Sequence, residues 1–60
     1  MYDKIKKLAE ERGVTIAELE RHLKISNGTI SKWNKSKPSL DFALRVAKYF
    51  EITVEDLFKN

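Results

Sequence analysis

Between Ser26 and Lys37 the chain reads Ser-Asn-Gly-Thr-Ile-Ser-Lys-Trp-Asn-Lys-Ser-Lys, a stretch without an acid. Asn27, Ser31, Lys32, Lys35, Ser36 and Lys37 offer hydrogen-bond donors suited to a polyanion with readable edges. An Asn side chain can pair bidentately with adenine, and a Lys ammonium can donate to guanine O6 or N7 in the major groove of duplex DNA. Other chemistries lack their parts. His22 is the single histidine and there is no cysteine, so neither a zinc site nor a thiolate nucleophile can be assembled. No second group at catalytic spacing accompanies His22, which follows Arg21 on a polar face and reads as a surface position. No catalytic residue, metal or cofactor is expected, and an enzyme is the least favoured class.

The charge points the same way. The formal total is +3. From Arg21 to Lys48 seven basic residues face one acid, Asp41, so that stretch carries +6 while the rest carries −3. A basic centre between acidic flanks suggests one face for a polyanion. Sixty residues make one domain, spanning 1–60, and a chain of this size buries only about 60% of its unfolded surface. Apolar runs are too short for a membrane span. No apolar leader follows Met1-Tyr2-Asp3-Lys4, so the expected location is cytoplasmic.

The elements that must carry these side chains are marked by helix caps. Val14-Thr15-Ile16-Ala17-Glu18-Leu19 holds a Thr cap, a Glu three residues on, and an apolar pair that can staple the start. Ile25-Ser26-Asn27-Gly28-Thr29-Ile30 repeats the staple around a Ser cap. Ile52-Thr53-Val54-Glu55-Asp56-Leu57 repeats the pattern with Asp56 as the short partner. Pro38-Ser39 marks one more start. The spacing predicts five helices: about Asp3–Arg12, closed by Gly13; Ile16–Leu23; Asn27–Asn34; Leu40–Phe50; and Val54–Phe58. The inward positions are Ile5, Leu8 and Ala9 (with the Arg12 stem), Leu19 and Leu23, Ile30 and Trp33, and then Leu40, Ala43, Leu44, Ala47 and Phe50.

Only Lys24-Ile25-Ser26 separates the second and third helices, the short turn of a helix-turn-helix unit. Outward from the third helix point Asn27, Gly28, Ser31, Lys32 and Lys35. Ser26 and the free amides at its start form a natural phosphate seat. From about Ile5 to Leu57 the sequence resembles the Cro/phage-repressor-type, lambda-repressor-like helix-turn-helix domains. The phrases that carry it are Thr15-Ile16-Ala17-Glu18-Leu19, Leu23-Lys24-Ile25-Ser26, Thr29-Ile30-Ser31-Lys32-Trp33, Lys37-Pro38-Ser39, Leu44-Arg45-Val46-Ala47 and Val54-Glu55-Asp56-Leu57. The resemblance implies an all-α, compact five-helix bundle whose third helix reads duplex DNA, usually as a homodimer on a two-fold-related site. It implies base contacts from Asn27, Gly28 and Lys32 with Ser31 nearby. Phosphate contacts would come from Thr15 at the start of the second helix, from Ser26, and from Lys35, Ser36 and Lys37. Dimer contacts in the family lie in the last two helices, where Tyr49 and Phe58 are the candidates here.

Four positions depart from the family pattern. Ile16 stands where a polar residue usually touches phosphate. Glu20 stands where alanine lets two helices approach, so its carboxylate must reach outward, find a basic partner or push the helices apart. Lys24 takes the place of the turn glycine, at a cost of roughly 1 kcal/mol if left-handed. Gly28 inside a helix costs about 1 kcal/mol more. The leading expectation is a sequence-specific double-stranded DNA binder, a transcriptional repressor or its isolated DNA-binding domain. The alternatives are an antitoxin-like or adaptor protein-interaction module that kept the fold, or an altered variant of such a domain.

Overall fold

A computed structural model describes residues 1–59 and folds them into four α-helices: α1 (Tyr2–Arg12), α2 (Ile16–His22), α3 (Leu40–Phe50) and α4 (Val54–Phe58). Where the spacing predicts a third α-helix, residues 27–29 form a turn and Ile30–Asn34 form a 3-10 helix of 5 residues. The five-helix bundle is thereby corrected to an all-α domain of four α-helices with one short 3-10 turn. The cause is local. Gly28 has φ +90°, far from the roughly −63° of an α-helix, so no helix can run through it. Lys37-Pro38 closes the other side, because a residue before proline is driven out of the helical region. The few residues left between these two stops suit the tighter 3-10 winding, which is used in short pieces.

Three of the four caps read from the sequence form. Thr15 Oγ1 accepts from the Glu18 N–H at 3.0 Å and the Thr15 N–H donates to Glu18 Oε1 at 2.9 Å, a complete capping box. Ser39 Oγ accepts from the Phe42 N–H at 3.3 Å and Thr53 Oγ1 from the Asp56 N–H at 3.0 Å. Ser26 is the exception. The bond that closes its turn runs from the Thr29 N–H to the Ser26 carbonyl at 3.1 Å, and Thr29 rather than Ser26 precedes the 3-10 helix.

The ends of α1, α2 and α3 share one build. Gly13, Lys24 and Glu51 are left-handed, with φ of 73°, 58° and 59°. After each, an apolar residue donates back five positions: Val14 to Ala9 at 2.9 Å, Ile25 to Glu20 at 2.8 Å, Ile52 to Ala47 at 3.0 Å. These are Schellman closures, and they satisfy carbonyls that the helix ends leave open.

The core is built from Ile5 and Ala9 of α1, Leu19 of α2, Ile25, Ile30 and Trp33 around the 3-10 helix, Ala43, Val46, Ala47 and Phe50 of α3, and Leu57 of α4. Leu8 and Leu23 are half-buried against it. The inward stripe of α3 differs from the one read above. Leu40 and Leu44 are 66% and 51% exposed, and Val46 is buried in their stead. Arg12 ties the ends of α1 and α3 together. Its guanidinium donates to the Phe50 carbonyl at 3.2 Å and to Glu51 Oε2 at 3.3 Å, a cation placed where the α3 dipole is negative. Among the described residues no helix is long and apolar enough to cross a membrane.

Candidate nucleic-acid interface

The corner between α2 and the 3-10 helix is organised by a buried acid. Glu20 is only 2% exposed. It neither reaches outward nor finds a cation. Its Oε1 accepts from the Gly28 N–H at 3.1 Å and its Oε2 from the Ile30 N–H at 2.9 Å. Both carboxylate oxygens are therefore matched by backbone donors, which is how a buried anion avoids the cost of desolvation. Sequence reasoning treats Glu20 as a conflict in the packing. The turn geometry that supplies its partners depends on Gly28, and a glycine two residues after a Ser cap is the signal that could have pointed to it.

The phosphate seat expected from free amides at the start of this segment is thus already filled. The Gly28 and Ile30 amides bond to Glu20, and the Thr29 amide bonds to the Ser26 carbonyl. What faces solvent is side chains. Asn27, Ser31 and Lys32 are exposed and Gly28 is half-buried, while Ile30 and Trp33 anchor the other face. In 3-10 winding, side chains three apart eclipse one another. Ser31 therefore shares a row with the exposed Asn34, and Lys32 with the exposed Lys35. Asn34 is a candidate contact that α-helical spacing does not single out.

The flanking residues fall in different environments. Thr15 is exposed at the start of α2, where its hydroxyl oxygen is the cap acceptor. Ile16 is half-buried and packs against the core. Ser26, Lys35 and Lys37 are exposed. Ser36 donates both its N–H (3.0 Å) and its hydroxyl (3.2 Å) to the Lys32 carbonyl, so it braces the turn that carries the two lysines. Tyr49 is half-buried, edge-on to Phe50 at 5.0 Å and to His22 at 5.2 Å. Phe58 is 43% exposed at the end of α4.

The basic residues of the central stretch stay at the surface. Asp41, the one acid of the basic stretch, pairs with Arg45 at 3.6 Å, and Arg45 also donates to the Leu23 carbonyl at 3.3 Å. Arg21, Lys24, Lys32, Lys35, Lys37 and Lys48 are all exposed, and none has an acidic partner within 4.0 Å among the described residues. The Thr15 N–H bound to Glu18, followed by the Thr15 hydroxyl, holds that carboxyl below its usual range, so Glu18 stays ionised where it supports α2.

The sequence matches the Cro/C1-type helix-turn-helix DNA-binding domain over residues 4–59. The chain belongs to that family. No curated protein and no solved structure matches it. As a Cro/C1-type domain it is a DNA-binding, non-catalytic module of the repressor type. Among the described residues no group of three or more His, Cys, Asp or Glu side chains gathers as a metal site would require.

Proposed function

We propose that this Cro/C1-type domain reads a specific duplex site with the exposed face of residues 27–32, holds the phosphates on either side with basic and hydroxyl groups, and acts as a repressor by occupying its operator. The observation that carries this reading is the pairing of exposed Asn27, Ser31 and Lys32 with buried Ile30 and Trp33 on one short, rigidly held segment. Asn27, Ser31 and Lys32 contact base edges, and Gly28 lets the backbone approach closely. Thr15, Ser26, Lys35 and Lys37 contact phosphate, with Ser36 bracing the lysine turn. Two copies bind a two-fold-related site. Phe58, exposed at the end of α4, and Tyr49, half-buried late in α3, are the candidates for the contact between them.

Selection from a random duplex library at physiological salt tests the whole reading, and a palindromic enriched site is the expected result. On that site Asn27→Ala should lose roughly 1–3 kcal/mol of discrimination. Lys35→Ala should weaken all duplexes about equally and reduce the salt slope by about 1. Equal losses on selected and random DNA for both variants would overturn base reading by residues 27–32. An adaptor role would find its support in Ile16 and Glu20, two of the positions that depart from the family pattern. Ile16 packs on the core and Glu20 secures the reading segment, so neither favours it.

A further inference from the structure

We infer that Glu20, which faces no solvent and touches no DNA in the proposed mode, is the positioning residue for sequence discrimination: its carboxylate sets where the reading segment stands relative to α2. The inference rests on base reading by residues 27–32.

Four observations carry it. Glu20 is 2% exposed, and its two oxygens hold the amides of Gly28 and Ile30 at 3.1 and 2.9 Å. The residue between them, Thr29, has its own amide bound to the Ser26 carbonyl at 3.1 Å. Every amide from Gly28 to Ile30 therefore already has an acceptor. The segment has no α-helical hydrogen bonds of its own there, since residues 27–29 form a turn. Its neighbour on α2, Leu19, is fully buried, which makes the base of the clamp rigid.

The clamp spans two halves of the interface. Thr15, at the start of the helix that bears Glu20, is a proposed phosphate contact, while Asn27, Ser31 and Lys32 are the proposed base contacts. Hydrogen bonds to base edges fail with small displacements or misalignments. Attraction between lysines and the phosphate backbone is tolerant of both. Loosening the clamp should therefore erase discrimination before it erases affinity. Glutamate is suited to the task in a way its analogues are not. Gln offers one acceptor and turns an NH2 toward an N–H. Asp is one carbon shorter and cannot reach both amides from the same backbone.

The test compares E20Q with its parent in a K24G background. Glycine at the left-handed position 24 adds stability, so that the substitution is read in a folded protein. Two quantities are measured: affinity for the library-selected site against a random duplex of equal length, and hydrogen exchange of the Gly28 and Ile30 amides. E20Q is expected to weaken the selected site by about tenfold or more, to change random-duplex affinity by less than about twofold, and to lose protection at those two amides. Equal fold losses on both duplexes would make Glu20 a fold residue only and overturn the inference. Full discrimination in E20Q, or unchanged protection at the two amides, would overturn it as well. If E20Q melts below the assay temperature, E20D, which keeps the charge, carries the same readouts. A parent protein that enriches no sequence at all would instead sink base reading by residues 27–32, and that failure shows before any Glu20 variant is made.

Discussion

Two handovers in this chain are written in nearly the same words and fold differently. Lys24-Ile25-Ser26 follows α2, and Glu51-Ile52-Thr53 follows α3. Each begins with a left-handed residue that is not glycine, and each closes through an apolar amide that donates back five positions. After Thr53 a capped α-helix begins at once, its first turn secured by Thr53 Oγ1. After Ser26 a turn intervenes: the Thr29 amide, which a cap would satisfy, goes to the Ser26 carbonyl, and the amides on either side of it, Gly28 and Ile30, are held by the side chain of Glu20, eight and ten residues away. Gly28, left-handed where Glu55 is helical, separates the two outcomes. A local phrase fixes how a helix may begin. Whether it begins there depends on what the preceding helix offers to the same amides.

The sharpest way to break this comparison is to remove the distant partner. Glu20→Ala leaves the Ile30 amide buried and the Gly28 amide half-buried without acceptors. Each orphaned group costs about 1–3 kcal/mol, and loss of the buried charge offsets part of that. A net loss of about 3 kcal/mol is expected in urea or thermal unfolding, a large share of the roughly 3–9 kcal/mol available to a domain of this size. A loss below about 1 kcal/mol would mean that water or a local cap replaces the carboxylate.

Gly28→Ala tests the same corner by sign. In an α-helix running from Asn27, alanine would stabilise by about 1 kcal/mol. At φ +90° with nothing within 4 Å of a new Cβ, the backbone conformation alone decides, and the cost should be about 1–2 kcal/mol. A gain in melting temperature would restore the α-helix that the spacing predicts. Below these in size comes the cap itself. Thr53→Ala should cost about 1 kcal/mol, whereas Ser26→Ala should stay within a few tenths, because the Ser26 carbonyl rather than its hydroxyl closes the turn. Equal costs in the two melts would mean that both hydroxyls act as caps.

The parts of the fold legible in the sequence are those whose partners lie a few residues away. Thr15 with Glu18, Ser39 with Phe42 and Gly13 at its left-handed turn need only local spacing. The inward face of α3 was legible only in part. Ala43, Ala47 and Phe50 belong to two apolar stripes at once, one completed by Leu40 and Leu44, the other by Val46. Both stripes fit a helical period, and the choice between them is made by the surfaces of the neighbouring elements. At the candidate interface, the basic excess and the exposure of Asn27, Ser31 and Lys32 followed from the residues themselves. The filled phosphate seat did not, because Glu20 reaches its amides through tertiary approach. The left-handed state of Lys24 and Glu51 had no glycine to announce it, although Lys24 stands at a turn position where family members carry one.

The smallest effect distinguishes the one complete capping box from the incomplete caps at Ser39 and Thr53. Glu18 is exposed, and its carboxyl is held below the usual 4.5 first by the Thr15 N–H and then by the Thr15 hydroxyl. A carboxyl whose folded pKa lies below its unfolded one contributes stability that is fully present above the unfolded value. That contribution fades as pH falls through the folded value, since the folded state then binds the proton it had resisted. The difference in melting temperature between the wild type and Glu18→Gln should thus be constant from neutral pH down to about pH 5 and shrink below it. Thr15→Ala separates the two causes. It removes the hydroxyl and keeps the N–H, so the Glu18 titration followed by NMR should move part of the way back toward 4.5. Complete return in that variant would mean that the backbone bond forms only when the hydroxyl holds the turn, and the two halves of the box would then act as one unit.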